Sequence, residues 1–142
     1  MTLLFKKKSK PDEFFERMRK QPDDEYKVTK LCAVLLRCKG KYRQVGYKVI
    51  DEVLKIGKDP LHDLNYSLGW VRDAELGLFI VDKIASFGME KEEVHNAIYD
   101  IGSLHIGNRK VKNRARMHYD RYYDQATGGN PLKRRDLLIP DW

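Results

Sequence analysis

No stretch of this chain sustains the apolar–polar alternation of a strand over four or more residues. Apolar residues recur instead every three or four positions, between glycines and prolines placed as helix boundaries. That periodicity predicts an all-α chain: a single compact helical bundle of five to seven helices. It carries a basic arm over 1–10, a helical domain over 11–126 and an extended tail over 127–142.

Pro11 opens a first helix in the favoured first position. Asp12 and Glu13 lie in its first turn, where the helix dipole favours acids, and Gln21-Pro22 breaks it. Asp23 or Asp24 caps a second helix running to about Cys38, with Val28, Leu31, Leu35 and Cys38 as its stripe. A third covers roughly 42–56 through Tyr42, Val45, Val49, Val53 and Ile56. Asp59-Pro60 starts a short fourth carrying Leu61, Leu64 and Leu68. The segment 71–87 is the most apolar of the chain, which predicts a helix buried over most of its circumference. A further helix spans about 90–101, a loop covers 102–108, and a last helix runs from about 109 to 125 before Gly128-Gly129. Gly46 and Gly77 fall inside helices, where glycine costs about 1 kcal/mol against alanine. Close approach of another helix accounts for them.

At 142 residues, one domain can bury a core without disulfides or metal. No apolar run approaches the roughly 20 residues of a membrane span, so no membrane partner is expected. The N-terminus lacks the order of charges of a signal peptide, which predicts an intracellular, cytoplasmic protein, nuclear if eukaryotic. Cys32 and Cys38 are the only cysteines. Six residues apart on a helix, they face different directions and read as buried free thiols.

Charge divides the chain more sharply than composition does. Residues 1–40 hold 11 Lys and Arg against 6 Asp and Glu, a net of +5. Residues 41–104 hold 8 against 11, a net of −3, and residues 105–142 hold 9 against 4, a net of +5. The last helix concentrates this charge. With Val111 at the origin of a helical wheel, Ala115, His118 and Tyr122 share its face, and Tyr119 lies beside them. Arg109, Lys110, Lys112, Asn113, Arg114 and Arg116 fill or flank the outward arc. Like charges this dense repel by a few tenths of a kcal/mol per close pair. A phosphate backbone would offset that, and Arg and Asn also suit base edges. Tyr123, nearest the polar arc, is the candidate for stacking on a base. Lys133, Arg134 and Arg135 could extend the phosphate track.

The leading expectation is a non-enzymatic nucleic-acid-binding protein, with DNA or RNA as partner and no cofactor. A helix-turn-helix would need a shorter connection than 102–108, and a helical hairpin accounts for the same pattern. The alternative is a structural or adaptor subunit. Its apolar tail residues Leu137, Leu138, Ile139 and Trp142 would dock on a protein partner or a second copy. A small metal-dependent hydrolase or nuclease is the third class. It would need His105, His118 and Asp120 to converge.

Overall fold

The computed structural model describes residues 10–104 and 108–128, and every regular element among them is helical. Seven α-helices follow in order: α1 (Pro11–Arg19), α2 (Lys27–Val34), α3 (Arg43–Ile56), α4 (Pro60–Leu68), α5 (Ala74–Ser86), α6 (Glu92–Leu104) and α7 (Arg109–Thr127). Single 3-10 turns at Leu35–Arg37 and Gly40–Tyr42 link α2 to α3. The all-α expectation therefore holds. No helix among the described residues is long and apolar enough to cross a membrane. The chain forms two compact units, Met1–Gly77 and Leu78–Trp142, with the division falling inside α5. The basic arm up to Ser9 and the tail beyond Gly128 lie outside the described residues.

In the first unit, α1 packs on α2 and α3 through Phe14, Phe15 and Met18. The second helix departs from its expected course. It starts at Lys27 rather than near Asp23, and it ends at Val34, with the 3-10 turn carrying Leu35. Asp24 sits ahead of the helix, its carboxylate accepting the Tyr26 N–H at 2.8 Å. The expected stripe member Val28 is only half-buried, while Lys27 is buried. The reason is local. Lys27 Nζ donates to Arg19 O at 3.1 Å, Gln21 O at 2.7 Å and Asp23 Oδ1 at 2.6 Å. All three ammonium protons are used, one on the carbonyl of Arg19, the last residue of α1, and one on that of Gln21 just beyond it.

Leu31, Cys32, Leu35, Val49, Ile50, Val53, Leu64 and Leu76 complete this core. Gly46 provides the close approach expected of it: a Cβ there would stand 2.4 Å from a Leu76 methyl. Cys32 and Cys38 are both free and buried. Burial pushes their thiol pKa values up to about 11 and about 12. Asp59 caps α4 by accepting the His62 N–H at 3.2 Å.

The start of α5 is also capped, by Asp73. Its Oδ2 accepts the Leu76 N–H at 3.1 Å. The same carboxylate receives the Arg43 fork, Nε to Oδ2 at 2.9 Å and an Nη to Oδ1 at 3.1 Å. Burial alone would raise the Asp73 pKa, but Arg43 and the Leu76 and Gly40 N–H groups outweigh it and hold the group below its ordinary value.

The second unit builds its core from Ile80, Val81 and Ile84 of α5, Val94, Ala97, Ile98 and Ile101 of α6, and Val111, Ala115 and Tyr119 of α7. The sixth helix continues past Ile101 through Gly102 and Ser103 to Leu104, where a loop was expected. The glycine is buried against α7, which offsets its poor helix propensity.

Two stability measurements follow. Lys27→Met removes three donors and leaves the Arg19 and Gln21 carbonyls short of partners, so chemical denaturation at pH 7 should show a loss of about 2 kcal/mol. Asp73→Asn should cost about 1–2 kcal/mol at neutral pH. Because the folded Asp73 pKa is lowered, its stabilisation is present above the unfolded pKa and is lost as pH falls through the folded one. The deficit of the variant should therefore shrink toward zero near pH 2, and a deficit unchanged with pH would refute the ionic cap.

Candidate nucleic-acid interface

Asn108 starts α7. Its side-chain Oδ1 accepts the Val111 N–H at 3.2 Å, and the helix ends at Gly128 in the left-handed conformation with φ 61°. The buried face follows steps of four residues: Val111, Ala115 and Tyr119, with Thr127 buried two steps further on. His118 and Tyr122, expected on the same face, are only half-buried.

The pairing with α6 is antiparallel and in constant register. His95 meets Tyr123, Tyr99 meets Tyr119, and Gly102 meets Arg116, so the two residue numbers of each pair add to 218. Two helices that keep one register over two turns lie side by side. This is a helical hairpin, not the steep crossing of a helix-turn-helix. The longer α6 leaves only 105–108 between the helices, yet the shorter connection does not produce the DNA-binding motif.

This register sorts the six basic residues of the segment 109–121. Arg114 donates to Asp82 Oδ2 at 2.5 Å, and His118 Nε2 lies 2.7 Å from Asp82 Oδ1. One α5 carboxylate thus holds two residues one turn apart on α7. Arg116 Nε donates to the Gly102 carbonyl at 2.9 Å, one of the α6 carbonyls that lacks an intrahelical partner. Arg121 approaches the Met117 sulfur at 3.8 Å. Arg109, Lys110 and Lys112 take no side-chain hydrogen bond or ion pair among the described residues. Arg109, Lys110 and Asn113 are exposed, and Lys112 is half-buried. The first turn of α7 holds no acid, so these cations stand where the helix dipole is already positive.

Tyr123, the candidate for stacking on a base, is half-buried. Its hydroxyl lies 2.6 Å from His95 Nε2. Its ring packs against Tyr119 at 4.9 Å and Tyr122 at 5.2 Å between centroids. His95 sits within this cluster, 4.8 Å from the Tyr119 centroid. The candidates Lys133, Arg134, Arg135, Leu137, Leu138, Ile139 and Trp142 lie outside the described residues, as does His105. Among the described residues no three of His, Cys, Asp and Glu gather as metal ligands.

Sequence reasoning missed Asp82. Its signal was present: the one acid in the second half of the most apolar stretch, residues 79–87, with Arg114 and His118 spaced to share it. No protein-family model matches the chain, and neither a curated protein nor a solved structure matches it.

Stability separates the two groups of cations. Arg116→Ala, which deprives the Gly102 carbonyl of its donor, should destabilise by about 1 kcal/mol. Lys110→Ala should leave stability within about 0.5 kcal/mol of the parent. Equal losses in thermal or denaturant melts would show that the sorting is wrong.

Proposed function

We propose that this chain is a non-enzymatic nucleic-acid-binding protein that meets the phosphate backbone with the first turns of α7. The observation that carries the reading is the acid-free cluster of Arg109, Lys110 and Lys112 at the positive end of a helix, without internal partners among the described residues. Each cation in such a place costs about 0.3–1 kcal/mol through the dipole, beyond mutual repulsion. A phosphate relieves both terms at once and meets free backbone N–H groups of the same turn. Asn113, exposed on the next turn, supplies a side chain able to reach a base edge.

Three phosphate contacts predict a slope of about −3 in log K against log salt on duplex and about −2 on single strands. Binding then rests on charge, weakly selective for sequence and in the micromolar range at physiological salt. Compared with the sequence expectation, Arg114 and Arg116 move from binding to structural roles, because Asp82 and the Gly102 carbonyl hold them.

Fluorescence anisotropy with a labelled duplex and its single strand, over 50–300 mM salt, tests the reading. The reversal Arg109→Glu, Lys110→Glu, Lys112→Glu should weaken binding at least tenfold and flatten the salt slope. A control reversal of the exposed Lys39, Lys48 and Lys55 should leave most of the affinity. Parent-like binding by the first variant, or equal losses in both, would remove α7 as the interface.

A further inference from the structure

The first unit holds a cavity of about 440 Å³ lined by Asp24, Glu25, Thr29, Gly57, Asp63 and Tyr66, with Val28, Ile56, Lys58 and His62 completing its wall. Three carboxylates and one lysine line it. Asp63 is buried, with 8 % of its surface exposed. Its Oδ2 is the one buried side-chain polar atom among the described residues without a hydrogen-bond partner. Folding alone gives no reason for that, since a buried acceptor without a donor is a cost that an apolar residue would avoid.

The neighbouring backbone accommodates the carboxylate. Gly57 has φ −76° and ψ 155°, a conformation open to any residue. A Cβ at this position would nevertheless stand 1.9 Å from Asp63 Oδ2 and 2.9 Å from the Val53 carbonyl. The missing side chain is thus what lets the acid group occupy the cavity wall. Burial also raises the Asp63 pKa, a penalty on the carboxylate that a bound cation would offset. At the rim, the exposed Tyr66 lies between His62, stacked at 6.5 Å, and Trp70, edge-on at 6.3 Å. Its hydroxyl is 3.5 Å from Thr29 Oγ1.

We infer that this cavity is a binding site for an alkyl guanidinium, the side chain of an arginine. The planar fork matches a carboxylate, and its face stacks on an aromatic ring. Val28 and Ile56 offer an apolar wall to the arginine stem. Asp24 and Glu25 repel phosphate, so the site is separate in chemistry from the α7 interface and does not depend on it. The volume lies within the range of sites that enclose a small ligand.

The test is a two-dimensional amide NMR titration of the full chain with Nα-acetyl-arginine amide, alongside Nα-acetyl-citrulline amide as the neutral isostere. Saturable shifts at Gly57, Lys58, Asp63 and Tyr66 are expected with the arginine probe alone. Asp63→Asn should weaken binding at least tenfold while keeping the melting temperature at or above that of the parent. Tyr66→Ala, a change at an exposed residue, should weaken it several-fold and keeps the test valid if the Asn variant folds poorly. Free arginine, which carries a zwitterionic backbone in place of the two amides of the blocked form, should bind less well if the natural ligand is peptide-borne. Free arginine binding as tightly as the blocked form would point to the amino acid itself. Equal response to citrulline, or parent-like binding by both variants, would overturn the site.

Discussion

Turning α7 by one residue about its axis would swing each side chain through about 100°. Lys112 and Arg116 would then face the seam that Val111 and Ala115 now fill. Three unlike contacts resist that slip together: the His95–Tyr123 hydrogen bond, the packing of Tyr99 on Tyr119, and the Arg116 bond to the Gly102 carbonyl. A helix face is decided by what the helix lies against, and this hairpin decides which cations of α7 face solvent. The candidate interface is a consequence of that register as much as of composition.

Buried polar groups show three degrees of completion. Lys27 finds an acceptor for each proton and in doing so closes the end of α1. Asp73 joins a helix cap to an arginine fork, so one carboxylate fixes both the start of α5 and the side chain of Arg43. Asp63 is left incomplete at Oδ2. The first two tie segments together, whereas one oxygen of Asp63 meets no donor among the described residues.

Much of the fold was legible in the sequence, because helix existence depends on local signals. Pro11, Asp59-Pro60 and Gly57 mark boundaries that the structure keeps. What was not legible depends on tertiary partners. Val28 and Lys27 exchange expected roles because the carbonyls of Arg19 and Gln21, at and just beyond the end of α1, draw the lysine into the buried position. In the extended part of α6 the Gly102 carbonyl accepts from Arg116, fourteen residues away. At the interface, charge density was readable, but the division of labour among its arginines was not. Arg114 and Arg116 lie among the other cations on a wheel, and only Asp82 and a carbonyl separate them from Arg109.

The paired burial of Cys32 and Cys38 has a kinetic consequence. Cys32 Sγ lies 3.3 Å from the Ser67 hydroxyl, and Cys38 Sγ donates to the Val34 carbonyl at 3.3 Å. Neither thiolate forms readily, and no reagent reaches either sulfur in the closed state. Alkylation must therefore wait for the α2 segment and its 3-10 extension to open. The chain carries its own clock for local unfolding, with two hands six residues apart. If both run at one rate, α2 and its extension open as a single cooperative piece. If Cys38 runs faster, the turn frays while the helix stays closed.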